Sequence, residues 1–335
     1  MNSTQTWQPT EPFRPRWGIG NGHFQTIASH LLPRAVALPP AEERLVEVAP
    51  GIQVRCDCHW QPAGEARRHA LTVIAIHGLE GSSDSQYLRG IAQKALALGM
   101  NAVRMNQRNC GGTEHLAPTL YHSGLSGDVG AVAQAFIASE GLTRIALAGY
   151  SMGGNLVLKL AGEWGSTHPE LKAVAAVCPA VDLAASADAL NRPANRLYEM
   201  HFVRRLKQRL VRKAQLFPGR FDVSAANGAS SVRLFDNQVT APFSGFRDAD
   251  DYYARATAAN VVDRIAVPTL ILHAADDPFV RIQAETLAKI RANSNVRYLE
   301  TAHGGHCAFL AAPNGYDGYW AERQILSFVQ RMECE

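Results

Sequence analysis

Apolar residues fall along this chain in short runs, separated by longer stretches of amphipathic pattern. The run from Leu71 to Ile76 is almost unbroken, as expected of a central strand buried on both faces. Runs over 102–105, 145–148, 174–177 and 269–273 read the same way, and 296–299 reads as a last, outer strand. Segments 44–48 and 52–60 flank Pro50-Gly51, a hairpin signal. Helical patterns lie between these runs at 85–98, 127–139, 152–163, 282–292 and 319–332. Strands alternating with helices predict an α/β fold, a mostly parallel central sheet with helices on both faces.

One interval breaks the alternation. From Asp182 to Asp263 there is no strong strand run, only a helical pattern over 197–213 and an aromatic-rich segment over 235–253. An insertion this long between two central strands folds over the C-terminal edge of the sheet, where open α/β sheets bind ligands. The expected organisation is therefore 1–181 as the N-terminal part of the core, 182–263 as a mainly helical lid, and 264–335 as the C-terminal part of the core.

Composition adds limits. The 335 residues are 47% hydrophobic and 19% charged, ordinary for a globular protein. A net charge of +3 with no dense Lys/Arg block gives no case for nucleic-acid binding. The one basic cluster, Arg204 to Arg209 with Arg212 and Lys213, reads as the solvated face of a helix, with peripheral membrane contact as the alternative. The first residues are polar and Pro-rich without an apolar core, so no signal peptide is expected. No stretch approaches about 18 apolar residues, so no membrane-spanning helix is expected either. The six cysteines are scattered, which suits reduced thiols in a cytoplasm. Cys56 and Cys58 alternate along one strand and read as packing residues.

Chemistry concentrates after the strands. Gly149-Tyr150-Ser151-Met152-Gly153 is a G-x-S-x-G sequence between an apolar run and a helical pattern. That context makes a nucleophile elbow, a tight turn that lifts the serine hydroxyl above the sheet edge. A serine hydroxyl is a poor nucleophile until a base takes its proton, and the base needs an acid to hold its tautomer. The run 269–273 ends in Asp276-Asp277-Pro278, and 296–299 leads to His303-Gly304-Gly305-His306. Acid and base thus follow the serine in an order known for such triads and sit on the same sheet edge. Asp277 is the preferred acid, with Asp276 capping the turn and Asp182 a weaker alternative. His306 is the preferred base, and His303 reads as a loop residue. The backbone amides of Leu79, in His77-Gly78-Leu79, and of Met152 are the expected oxyanion donors. His77 itself reads as a packing residue at the strand end.

Taken together these pieces resemble the YheT-like branch of the α/β-hydrolase superfamily. The resemblance rests on Asn21-Gly22-His23-Phe24-Gln25-Thr26, His77-Gly78-Leu79-Glu80-Gly81-Ser82-Ser83, Ser85-Gln86-Tyr87-Leu88-Arg89-Gly90 and Asn106-Gln107-Arg108-Asn109-Cys110-Gly111-Gly112. It also rests on Gly149 to Asn155, Gly245 to Tyr253, Asp276-Asp277-Pro278-Phe279 and Gly304-Gly305-His306. It departs at Asn109, where members carry glycine, and a non-Gly residue there implies a different local backbone.

The resemblance implies an α/β-hydrolase fold and a serine carboxylesterase acting on short or medium acyl esters or acylglycerol-type lipids. Ser151, His306 and Asp277 would be its triad, with no metal or organic cofactor. The lid aromatics Phe243, Phe246 and Tyr252 are candidates for lining an acyl pocket, against simple packing of the lid. Acyltransferase, thioesterase or amidase chemistry fits the same triad. A non-catalytic binding module would be marked by a missing triad member, and none is missing.

Overall fold

The computed structural model describes residues 7–333. Cys334 and the outermost residues of the first and last core segments lie outside them. Every run read as a strand forms one: β1 (Glu42–Ala49), β2 (Ile52–His59), β3 (Thr72–Ile76), β4 (Asn101–Met105), β5 (Ile145–Tyr150), β6 (Leu171–Val177), β7 (Thr269–Ala274) and β8 (Val296–Thr301). They make one sheet in the order β1-β2-β4-β3-β5-β6-β7-β8. The first two pairings are antiparallel and the rest are parallel, so β3, β5, β6, β7 and β8 end on one edge.

The helices are α1 (Gly22–Leu31), α2 (Gln86–Ala97), α3 (Ser126–Glu140), α4 (Met152–Trp164), α5 (Leu183–Leu190), α6 (Arg196–Leu216), α7 (Ala249–Ala256), α8 (Ala284–Ala292) and α9 (Trp320–Glu333). Strand alternation divides the core into two layers. Ile74, Ile76, Leu147 and Ile271 meet Val132, Phe136, Leu156 and Val157 of α3 and α4. Val73, Ala75, Ala148 and Leu272 meet Leu88 and Ile91 of α2 and Phe328 and Val329 of α9. Both faces are covered, so these strands carry apolar residues at nearly every position. Cys56 and Cys58 are buried within the first layer. The five cysteines among the described residues are free thiols.

Between β6 and β7 the chain forms no strand. Here α5, α6 and α7 and short helical turns gather a third apolar cluster, including Leu190, Leu206, Phe235 and Tyr252. Phe279 and Val280, just past β7, join it from the body. The basic helix is solvated only in part. Arg209 and Lys213 of α6 are buried, whereas Arg204 and Arg212 are exposed. Spacing of four residues puts Arg205, Arg209 and Lys213 on one helix face, which meets Glu80 and Glu114 of the body, with Arg209 and Lys213 buried and Arg205 still exposed. Among the described residues, no helix is long and apolar enough to cross a membrane.

The β5–α4 turn is tightly packed. A methyl group on Gly149 would collide with the Gly153 carbonyl, and one on Gly153 with the carbonyls of Ile76 and His77. Three backbones meet there with no room for a side chain. Gly153→Ala should therefore destabilise the fold by about 1–3 kcal/mol or more. Urea denaturation followed by circular dichroism measures this, and an unchanged midpoint would contradict the stated crowding.

Candidate active site

Ser151 sits directly after β5 with φ +55° and ψ −117°, a left-handed conformation rare for a residue with a side chain. Backbone pairing holds it there. Its N–H donates to Val177 O at 2.9 Å, and its carbonyl accepts from Asn155 and Ala180 at 3.1 and 3.2 Å. Asn155 is itself fixed: its amide donates to Ser123 O and Ala256 O at 2.9 and 3.0 Å and accepts from Ala258 N at 2.8 Å.

The two adjacent aspartates diverge. Asp277 is buried, and its Oδ2 lies 2.8 Å from His306 Nδ1. Its Oδ1 accepts from the Phe279 and Val280 amides at 3.0 and 2.9 Å. Burial alone would raise the Asp277 pKa, but His306 and these donors hold it below the usual carboxylate range. Asp276 turns the other way, accepting from Gly305 N at 2.9 Å and facing the exposed His303 at 3.3 Å. Asp182 is engaged with the start of α8, accepting from Gln283 N and the Thr286 hydroxyl at 2.8 Å each. His306 is raised above its ordinary range: burial disfavours the imidazolium, but the neighbouring Cys307 and Asp277 outweigh it. No hydrogen bond joins Ser151 to His306 among the described residues, and both line one cavity.

Sequence reasoning left α1 unread, and it supports the His306 loop. Thr26 Oγ1 accepts from His306 N at 2.8 Å. Gln25 donates to Leu310 O at 3.0 Å and accepts from Leu310 N at 2.8 Å. The Asn21-to-Thr26 motif was legible as a sequence mark, but the helix that carries it, with Phe24, Ile27 and Leu31 at helical spacing, was not read.

After β3, the N–H groups of Gly78 and Glu80 are taken by the hydroxyls of Tyr87 and Tyr121, each at 3.1 Å. Among the described residues, no acceptor satisfies the Leu79 amide between them. Met152 N is at the first turn of α4, where helical amides lack an intrahelical partner. Gly78 packs against the serine, since a methyl group there would lie 3.1 Å from Ser151 Cβ. Glu80 stands at φ +57° and binds Arg209 of α6 through both oxygens at 2.8 and 2.9 Å, and Tyr121 donates to it at 2.7 Å. His77 is fully buried, accepts from Gln107 N at 3.1 Å through Nε2, and is lowered to about 4, chiefly by burial. It is a neutral packing group. Asn109 adopts φ +64°, so it keeps the left-handed backbone glycine favours, and its side chain donates to Thr119 O at 2.8 Å.

Two cavities meet at Ser151. The larger, about 840 Å³, is walled by His23, Tyr198, His201, Arg205, His306 and Cys307 among others. The smaller, about 110 Å³, runs between Leu183, Leu206, Val232, Tyr252 and Val280. Leu79, Phe202 and Phe279 border both. Of the three lid aromatics singled out from the sequence, Tyr252 lines the smaller cavity, with its hydroxyl donating to Ser123 Oγ at 2.9 Å. Phe243 and Phe246 line neither. Phe243 packs against Phe221, and Phe246 fills a ring cluster with His122 and Tyr252.

An acid lies in that apolar wall. Asp236 is buried, accepts from Tyr253 Oη at 2.7 Å, and is raised to about 6 by desolvation. The folded protein thus holds a proton there that the unfolded chain has released. Its stabilising contribution is full below about pH 4 and is lost as pH rises through about 6. Asp236→Asn keeps an acceptor for Tyr253 and removes this dependence. Relative to wild type, the variant should gain on the order of 2–3 kcal/mol between pH 4 and pH 8 in urea denaturation. A difference that stays constant with pH would contradict the buried-acid account.

Comparison with known proteins places these features. The sequence model of the alpha/beta hydrolase fold matches residues 72–313. YheT of Escherichia coli (strain K12), an esterase by provisional assignment, is 33% identical over 319 residues, covering 93% of this chain and 91% of that protein. Phospholipase ABHD3 of Mus musculus is 29% identical over 331 residues, covering 96% and 79%. Among solved structures, the Pyrococcus furiosus esterase Pf2001 superposes with a TM-score of 0.56 at 16% identity, covering 89% and 98% of the two chains. At that identity the likeness speaks for the fold alone. From the matched sequence model and the extent of the YheT match, the chain belongs to the α/β-hydrolase superfamily, in its YheT-like branch.

Proposed function

We propose that this hydrolase cleaves carboxylic esters of lipid type through Ser151, His306 and Asp277. The observation that carries the reading is the buried Asp277 held 2.8 Å from His306 Nδ1, on the sheet edge that also presents Ser151 at φ +55°. In its neutral form His306 donates its Nδ1–H to Asp277, which leaves the Nε2 lone pair free to take the Ser151 proton. The serine oxygen attacks the ester carbonyl, and the negative charge moves onto the carbonyl oxygen. The unpaired amides of Leu79 and Met152 receive that oxygen, each such donor being worth about 3–4 kcal/mol in the transition state. His306 returns the proton to the leaving alcohol, and water then cleaves the acyl-enzyme through the same base.

The two cavities divide the substrate. The small apolar cavity suits the acyl chain, with Tyr252 in its wall, and the wide one suits the leaving alcohol. The relatives named as an esterase and as a phospholipase support a lipid-type ester. In this reading the lid is residues 182–263, held to the body by the Arg209–Glu80 pair.

Hydrolysis of a p-nitrophenyl ester series of increasing acyl length tests the proposal. Turnover should depend wholly on Ser151, vanishing in Ser151→Ala. Asp277→Asn should lower kcat by about 10⁴-fold, as when a triad base loses its orienting acid. Asp276→Asn should stay within a few-fold of wild type. Equal losses in the two aspartate variants would contradict the assignment of the acid, and turnover that survives Ser151→Ala would contradict the nucleophile.

A further inference from the structure

Against the Asp277–His306 pair lies a group of thiols that ester cleavage does not use. Cys178 follows β6 at φ +42°, and Cys307 follows His306 at φ +60°. Cys178 is fully buried, whereas Cys307 lines the larger cavity. The two are linked, since the Cys307 amide donates to Cys178 Sγ at 3.5 Å. Cys307 Sγ lies 3.8 Å from His306 Nε2 and 3.4 Å from Val177 O. One ligand atom from each of Cys178, His306 and Cys307 falls within 4.8 Å of the others.

That spacing can be compared with a coordination shell. Tetrahedral zinc, with Zn–S near 2.3 Å and Zn–N near 2.0–2.1 Å, sets sulfur and nitrogen about 3.6 Å apart. The 3.8 Å between Cys307 Sγ and His306 Nε2 is close to that value. The outer partner is also present. A histidine that binds metal through one nitrogen usually donates the other N–H to a carboxylate, and His306 Nδ1 faces Asp277 at 2.8 Å. Two thiols and one imidazole select a soft or borderline ion over magnesium or calcium.

We propose that Cys178, His306 and Cys307 form a three-ligand site for Zn²⁺ whose occupation takes His306 away from Ser151. Entry is from the larger cavity past Cys307, with the fourth position left for water. Two Zn–S bonds and one Zn–N bond form, two protons pass to solvent, one from Cys178 and one from the His306–Cys307 pair, and no electrons are transferred. The Nε2 lone pair that binds the ion is the one that would accept the serine proton. Metal binding and serine activation therefore exclude each other. This last consequence rests on the ester-hydrolase reading, while the site itself does not.

The test reads the metal and the turnover separately. Co²⁺ added to chelator-treated protein should give the visible absorption of a tetrahedral thiolate-bound ion, and one equivalent of Zn²⁺ per chain should abolish it. Zn²⁺ should inhibit ester turnover reversibly, with recovery on adding a chelator. In Cys307→Ser and Cys178→Ala, each compared with its own metal-free rate, half-inhibition should need at least about tenfold more Zn²⁺. Thermal melting of both variants shows that they fold, and Cys307→Ala serves as a second substitution at the cavity wall. Absence of a cobalt–thiolate band, or zinc inhibition unchanged in variants at both cysteines, would overturn the site. A cobalt band in protein without Ser151-dependent turnover would keep the metal site and defeat the hydrolase reading. Turnover without a band would do the reverse.

Discussion

Everything around Ser151 depends on how closely three backbones approach at the end of β5. The turn into α4 runs against the carbonyls of Ile76 and His77, and only hydrogen at the α-carbons of Gly149 and Gly153 permits that approach. The serine between them is left at φ +55°. A left-handed serine is unfavourable on its own, so the surrounding pairing must hold it, through Val177, Ala180 and Asn155. The same closeness sets the β3 loop beside the nucleophile. The loop after β3 and the turn after β5 adjoin because two parallel strands end side by side, with Ile76 in register with Gly149.

A second constraint is electrostatic. The loop that carries Leu79 continues into Glu80, a buried carboxylate in a left-handed turn. Arg209 of α6 and Tyr121 both bind it. Burial would raise the Glu80 pKa, yet the value is lowered, with Arg209 the largest favourable contribution. Breaking a buried pair by removing one partner costs about 3–5 kcal/mol, because the other charge is left uncompensated. Helix α6 is therefore tied to the body at the residue next to the proposed oxyanion donor.

Much of this was legible in the sequence, for reasons that differ by element. Strands buried on both faces announce themselves as apolar runs, the Pro50-Gly51 hairpin signal marked β1 and β2, and the residues after the central strands could be placed on one edge. Adjacent residues in a turn cannot be separated by pattern. Asp276 and Asp277 differ only in which loop each faces, and that is set by Gly305 and by His306 arriving from β8. The basic stretch of α6 looked solvated because a sequence does not show that Glu80 and Glu114, about a hundred residues away, lie beneath it. Phe243 and Phe246 were grouped with Tyr252 by composition, but of the three only Tyr252 lines a cavity that reaches Ser151. Asn109 shows the opposite error: a departure from glycine that leaves the backbone in the conformation glycine favours.

The central claim is that Ser151 is a nucleophile activated by His306. Reaction with a fluorophosphonate, read by intact mass and peptide mapping, measures this without assuming any natural ester. One adduct per chain on Ser151 is expected. Labelling should slow by at least about 10³-fold in His306→Ala, since the serine then lacks its base. An adduct on another residue, or equal rates in wild type and His306→Ala, would contradict the account.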